Sequence, residues 1–241
     1  MTYRAITRRL LVAALLSAMP YATVNGVASA TPAAPADNAQ RLTNLKVKGD
    51  AEITRRIASL TAASEKLRAS NKLTPADLAG LTAQINAELT GLANLQTKLR
   101  ADTVLAAART DAASIVSDYR VYALVLPKTR LVATYDRITA AQAKFTQLQA
   151  QLQIRLEAAK TAGKDTAPLV AAKKAFDAKL AASQSRTSGL GVKLLALQPS
   201  DYNADRGILE ANRLVLVTAR DDLTAARAAA KTIADGLKAL K

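Results

Sequence analysis

Three polar side chains late in the chain have the spacing of calcium ligands. Asp201, Asn203 and Asp205 match the first, third and fifth positions of an EF-hand loop. The sixth position, which should be glycine, is Arg206, and the twelfth, which should be a bidentate glutamate, is Asn212. Acidic residues also stabilise a helix N-terminus through its dipole. We therefore predict no metal site and no cofactor, and retain these three residues as the alternative metal candidate.

Basic side chains recur every seven residues in two segments, a spacing that places them on one face of a helix. In the segment nearest the C-terminus, we assign a set of leucines to heptad position a, which lies in the core. The basic row of the same segment then lies at position e, beside the core. Those leucines are Leu209, Leu216, Leu223 and Leu237. The row beside them, the first set of predicted anion-binding candidates, consists of Arg206, Arg213, Arg220 and Arg227. The second set lies at position g of the third predicted helix, the one that follows Pro127, and consists of Arg130, Arg137 and Lys144.

These rows have two interpretations. In the first, the aliphatic stems cover the edge of the core and the charged ends pair with acids on neighbouring helices. In the second, the rows form a surface that binds anions. The chain contains 34 basic and 19 acidic residues, so many basic side chains have no acid to pair with. This excess supports the second interpretation.

The sequence offers little for catalysis. It contains neither His nor Cys, which excludes Ser-His-Asp triads, imidazole bases, thiolate nucleophiles and thiolate zinc sites. Glu88 and Asp102 fall near the apolar stripe of their helix, where burial raises a carboxyl pKa, but we expect them to be boundary residues paired with Lys or Arg. We predict no catalytic residue and no enzyme. An enzyme with a site made only of carboxylates is the alternative.

The first thirty residues have the organisation of a signal peptide. Three arginines precede a short apolar run over 10–19, and Ala28-Ser29-Ala30 supplies the small residues of a cleavage site. The run is shorter than the roughly 20 residues of a membrane span. Residues 31–36 form a flexible leader. We predict an exported protein that is periplasmic, extracellular or bound to the cell envelope, and residues 7–11 leave general and twin-arginine export open.

Cleavage of the predicted signal peptide removes three basic residues and no acidic residue. The remaining chain then has 31 basic and 19 acidic residues and a net charge of +12. Such a charge attracts polyanions. The predicted partners are anionic envelope polymers, anionic lipid surfaces or partner helices, including a second copy of the chain. Export disfavours nucleic acid as a partner inside the producing cell.

Helical periodicity extends through residues 37–241, which we expect to form one domain. Breaks at 71–75, 162–165 and 198–200, together with Pro127, predict five helices. Their approximate ranges are 37–70, 75–118, 127–162, 166–197 and 200–240. Thr74 and Ser200 are the predicted N-caps of the second and fifth helices. The predicted fold is all-α: an elongated antiparallel helical bundle of coiled-coil type, with about five long helices and a thin aliphatic core.

The apolar run 121–126, before Pro127, has two interpretations: a tight, buried and partly extended connection, or a continuation of the second helix. Residues 118–128 together with Leu131-Val132-Ala133 are similar to a stretch in uncharacterised exported helical proteins of bacteria. The resemblance covers this short central stretch only and implies no activity.

The sequence therefore favours an exported, non-enzymatic helical-bundle protein with a structural or interaction role at the cell envelope. It would present basic helical faces to anionic polymers or to partner helices. The alternative is a reversible membrane-surface binder whose amphipathic helices open as in an apolipoprotein, although few aromatic side chains are present to anchor them.

Overall fold

The computed structural model describes residues 35–240, whose regular elements are all helical. The predicted signal peptide lies outside the described residues, and the first helix begins inside the predicted leader. The helices are α1 (Pro35–Arg68), α2 (Pro75–Ala101), α3 (Leu105–Ser117), α4 (Leu126–Thr161), α5 (Ala167–Thr187), α6 (Leu190–Ala196), α7 (Pro199–Ala204) and α8 (Ile208–Ala239), and a π-helical turn (Val121–Val125) precedes α4. The all-α prediction is confirmed, and five of these helices have 21 to 36 residues.

Helices α1, α2 and α3 pack against one another. Gln96 Nε2 of α2 donates to Thr54 Oγ1 of α1 at 3.1 Å. Four residues later in α2, Arg100 donates to Asp50, which lies four residues earlier in α1, so the two helices are antiparallel. Lys98 Nζ pairs with Asp111 Oδ1 of α3 at 2.7 Å. Because α3 runs back along α2, it lies parallel to α1 and buries its apolar face between the two.

Helices α4, α5 and α8 form a second group of three, in which α5 is antiparallel to the other two. Gln142 Nε2 of α4 donates to Ser183 Oγ (2.9 Å) and Thr187 Oγ1 (3.1 Å) of α5. Ser183 Oγ in turn donates to the Ala219 carbonyl of α8 at 2.8 Å. This buried network satisfies its polar groups and joins all three helices.

Two of the five predicted helices are each divided in the structure. The second ends before Asp102, whose ψ of 130° leaves the helical region. The fourth ends at Thr187, and Gly189 follows with a φ of 69°. Each division lets a shorter helix pack on other neighbours, since α3 returns along α2 and α6 contacts α2 and α4. The predictions of unbroken helices here are wrong.

The run 121–126 is neither extended nor a continuation of the preceding α-helix, so both interpretations are wrong about its conformation. Arg120 takes a left-handed φ of 42°, and the π-helical turn then leads directly into α4. Val125 N donates to the Arg120 carbonyl, the five-residue spacing of a π-helix. The prediction that this run is buried is confirmed for Val121, Leu124 and Val125, whereas Tyr122 is exposed.

The predicted start of the fifth helix at Ser200 is wrong. Gln198 is the N-cap of the short α7, and its backbone N–H donates to Asp201 Oδ2 at 2.8 Å. Ser200 lies inside that helix. Asp205 Oδ1 then accepts a hydrogen bond from the Gly207 N–H at 2.8 Å, which stabilises a turn before α8 begins.

Candidate functional site

The basic row of α4 lies where the sequence places it. Arg130, Arg137 and Lys144 are exposed, and none of them forms an ion pair with another residue of 35–240. Arg155 follows Lys144 by eleven residues, three helical turns, and is exposed on the same face. We name these four residues the α4 basic row; sequence reasoning stopped at Lys144 and missed its last member.

The row predicted for the last helix is only partly present. Arg213, Arg220 and Arg227 are exposed on α8, whereas Arg206 lies in the turn before it. The placement of Arg206 on the helix is wrong because α7 and the turn at Asp205 interpose. The heptad phase itself agrees with the burial pattern, since the buried positions of α8 alternate at spacings of three and four. They include Asn212, Leu216, Ala219, Leu223, Ala226, Ala230 and Ile233.

The α8 row is more neutralised than the α4 row. Arg213 donates two hydrogen bonds to Glu210, at 2.7 and 2.6 Å, and Arg220 pairs with Asp221 at 3.1 Å. Arg227 forms no ion pair within the described range. The interpretation in which charged ends pair with acids therefore describes part of α8, and the interpretation as free cations describes α4.

The last cation of the α4 basic row lies beside a basic residue near the C-terminal end of α8. Arg155 of α4 and Lys238 of α8 line a groove of about 510 Å³ between the C-terminal ends of these helices. Arg227 precedes Ala234, another lining residue, by seven positions and therefore shares its face of α8. At the other end Arg130 lines a groove between α1 and α4. The α4 basic row thus extends from one groove to the other.

The three calcium-ligand candidates make separate structural contacts. Asp201 accepts the Gln198 N–H, and Asp205 accepts the Gly207 N–H. Asn203 Oδ1 accepts a hydrogen bond from Arg120 Nε at 2.6 Å, which ties α7 to the chain before the π-helical turn. Since Asp201 and Asn203 lie in a helix, this segment does not have the loop conformation of an EF-hand.

A polar cavity lies beside the π-helical turn, and sequence reasoning found only one of its members. It has a volume of about 320 Å³ and is lined by α2, the turn, α4 and residues 197–199. Glu88 and Gln84, one helical turn apart on α2, face it. Glu88 Oε2 and Gln84 Oε1 are buried and have no hydrogen-bond partner among the described residues.

Lys128 supplies the positive charge of this cavity. Its side chain is buried, and Nζ donates to the Leu197 carbonyl at 2.8 Å. Burial lowers the pKa of Lys128 to about 8, opposed by the carboxylates of Glu88 and Asp201. Burial likewise raises the pKa of Glu88 to about 7, opposed by the Lys128 ammonium group. The cavity therefore holds one proton donor and one proton acceptor that both titrate near neutrality.

Asp102, the other carboxylate predicted near a core stripe, lies at the C-terminus of α2. Its carbonyl accepts a hydrogen bond from Lys46 Nζ of α1, and its Oδ2 is buried without a hydrogen-bond partner among the described residues. Neither Glu88 nor Asp102 forms an ion pair with another residue of the described part, so that detail of the prediction is wrong.

A further buried carboxylate, Asp136 of α4, was not found from the sequence. Its Oδ2 accepts a hydrogen bond from the Thr74 N–H at 2.6 Å. Burial and the neighbouring carboxyl group of Asp77 raise the pKa of Asp136 to about 6. Thr74 itself caps α2, as predicted, because Thr74 Oγ1 accepts from the Asp77 N–H at 3.2 Å. Asp136 thereby anchors the connection between α1 and α2 on α4.

Comparison with protein-family models, with curated proteins and with solved structures finds no match. The resemblance of the central stretch to exported helical proteins of bacteria therefore stays a prediction. Among the helices of residues 35–240, every stretch is too short or too polar to cross a membrane.

Proposed function

We propose that this chain is an exported, non-enzymatic helical-bundle protein that binds anionic polymers of the cell envelope through basic helical faces. The observation that carries the proposal is the α4 basic row, whose four exposed cations share one face and form no ion pair with any residue of 35–240. The enzyme alternative draws support only from the titratable pair in the polar cavity.

The distribution of acids supports an external partner for this row. Asp136, on the same helix, is buried against the α1–α2 connection, and Glu157 accepts a hydrogen bond from Gln153. Elsewhere acids do neutralise surface cations, as Asp222 does between Lys179 and Arg186, at 2.9 Å from each. A row of unneutralised cations on a rigid helix raises the local concentration of polyanions.

The geometry of the row suits an extended polymer. From Arg130 to Arg155 a straight helix rises by about 37 Å. The helix that carries these cations is joined to α5, and through α5 to α8, by the buried hydrogen bonds of Gln142, Ser183 and Thr187. A polymer with repeated negative groups contacts several of them at once, so its second and later contacts are intramolecular and cost less entropy.

The test compares two triple variants of the purified full chain, each with three fewer positive charges. The row variant carries Arg130→Gln, Arg137→Gln and Lys144→Gln. The matched control carries Arg41→Gln, Arg55→Gln and Lys231→Gln, which remove exposed cations that are already paired with acids. Circular dichroism verifies that both variants retain helical content.

Binding to dextran sulfate is measured by calorimetry at several salt concentrations. We expect the row variant to bind at least tenfold more weakly, with a shallower decrease of affinity with salt, because fewer counterions are released. The control should retain most of the affinity. Equal weakening of both variants would mean that only net charge matters, and unchanged binding of the row variant would place the binding surface elsewhere; either result refutes the proposal.

The same variants test the membrane-surface alternative. Cosedimentation with phosphatidylcholine vesicles, which carry no net charge, should show little binding, since the proposal requires anionic groups. Strong binding to these neutral vesicles that survives in the row variant would favour the amphipathic membrane binder instead.

A further inference from the structure

The groove between the C-terminal ends of α4 and α8, named here the α4–α8 groove, combines an apolar floor with a cationic rim. Its volume of about 510 Å³ lies within the usual range of small-molecule sites. The apolar lining consists of Ala158, Ala159, Ala162, Ala234, Leu237 and Leu240. The charged lining consists of Arg155, Lys164 and Lys238, and among residues 35–240 no acid lines the groove.

The α4–α8 groove lies where small alanine side chains line both helices and leave space between them. Two alanines at the end of α4, and Ala162 directly after it, line the groove together with Ala234 of α8, and each fills only the space of a methyl group. Leu237 and Leu240 remain partly exposed beside them, although neighbouring leucines such as Leu223 are buried in the core. Apolar surface left open in this way gains free energy when an aliphatic chain covers it, at roughly 25 cal/mol per Å².

The rim of the α4–α8 groove is positively charged, so it complements a ligand that carries a negative group. Arg155 and Lys164 form no ion pair with any residue of the described range, and the one pair of Lys238, with Asp235, is long at 3.9 Å. Three like charges around one opening repel one another, and an anionic group placed between them relieves that repulsion. Cations held at the edge of an apolar surface suit a ligand with a charged head and an apolar tail.

We propose that the α4–α8 groove binds a single-chain anionic amphiphile, a long-chain carboxylate, with its tail on the alanine and leucine floor and its carboxylate between Arg155, Lys164 and Lys238. This site shares Arg155 with the α4 basic row, but it differs from polymer binding because it requires the apolar floor and the other three cations of the row do not line it. A variant that fills the floor leaves every charge in place, so failure of one proposal is distinguishable from failure of the other.

The test is calorimetric titration of the full chain with laurate below its critical micelle concentration. Acetate has the same head without the tail, and dodecanol has a similar tail without the charge. We expect saturable one-to-one binding of laurate, at least tenfold tighter than binding of dodecanol, and no detectable binding of acetate. Absence of saturable laurate binding, or equal affinity for dodecanol, would overturn the proposal.

Three variants locate the site. Ala159→Phe fills the floor and should weaken laurate binding at least tenfold, and the exposed Ala158→Phe provides a second blocking variant if the first fails to fold. Ala150→Phe, at an exposed position of α4 outside the groove, is the matched control and should bind laurate as the parent chain does. Equal effects of the control and the blocking variants would overturn the assignment.

The rim is tested by Arg155→Gln combined with Lys164→Gln. This pair should abolish the preference for laurate over dodecanol while leaving dodecanol binding unchanged. Sedimentation velocity identifies the competing occupant: a parent chain that is dimeric, and that Ala159→Phe converts to a monomer, would show that a second copy covers the groove and would refute the proposal.

Discussion

Replacing Glu88 with glutamine removes the buried carboxylate of the polar cavity without changing its size. The carboxyl group lies near Lys128, and Oε2 has no hydrogen-bond partner among the described residues. Because burial raises its pKa to about 7, the folded chain retains a proton on Glu88 at pH values where the unfolded chain has released it. Unfolding then releases a proton, so the free energy of unfolding falls as the pH rises from about 4.5 to about 7.

The expected magnitude follows from the two pKa values. The difference between 4.5 and about 7 corresponds to about 3 kcal/mol. Although Oε2 is buried, the Glu88 residue as a whole is partly exposed. Solvent screening therefore reduces this figure, and we expect ~1.5 kcal/mol. Glu88→Gln has no proton to release. Relative to the parent chain, the variant should therefore gain ~1.5 kcal/mol between about pH 5 and about pH 7.5.

Urea unfolding followed by circular dichroism at several pH values measures this gain. Lys128, whose pKa is lowered to about 8, affects stability mainly above that pH, where stability rises as the pH rises. Glu65→Gln, which removes an exposed carboxylate on α1, is the matched control and should keep the pH dependence of the parent chain. Parallel stability curves for the parent chain and Glu88→Gln would refute the reasoning about the cavity.

Two further predictions concern packing and charge. Gly191→Ala should lower the free energy of unfolding by ~1–3 kcal/mol, because the added Cβ would lie 2.5 Å from Tyr135 Cε1. Gly80→Ala is the control: its added Cβ has room, so it should be neutral or stabilising in the same urea measurement. Equal effects of the two substitutions would contradict this account. Asp222→Asn should cost ~1 kcal/mol at neutral pH, because hydrogen bonds from two basic side chains of α5, first that from Lys179, lower the pKa of Asp222. That stability is present above about pH 4 and is lost as the pH falls through the lowered pKa, so the parent chain and the variant should converge in acid-unfolding curves, and a constant difference down to low pH would contradict it.

Several features were predictable because the signals that produce them are local. Thr74 and Pro75 form an N-cap and a first helical residue within one turn of each other, and the structure begins α2 there. Gly163, with a φ of 72°, follows the end of α4 inside the predicted break. The leucine spacing of the last helix likewise predicts the buried seam of α8.

The break at Asp102 was not predictable from its neighbours. Residues 102–104 contain neither glycine nor proline, and local propensity permits the helix to continue. The division is favoured because α3 buries Ala108 and Ile115 when it folds back. At the second division, Gly189 and Gly191 weaken a helix, but the sequence does not show that a separate helix begins at Leu190.

The polar cavity likewise was not predictable from the local sequence. Lys128 directly follows Pro127, and the neighbouring sequence does not distinguish it from an exposed lysine. No local pattern therefore indicates that its ammonium group is buried. Its surroundings come from α2 and from the carbonyl of Leu197, segments far from it in the chain.

The amino-acid sequence by itself determined the helical class of this protein, most of its helix ends, the basic row on α4 and the excess of positive charge. Helix formation, capping and facial periodicity depend on residues within a few positions of one another, so they can be read from the chain directly. The tertiary structure alone decided where α3 turns back, which helices α6 packs against, which carboxylate shares a cavity with Lys128, and that Arg155 and Lys238 line one groove. These arrangements depend on contacts between distant segments, and their energies come from burial and desolvation that no local window contains.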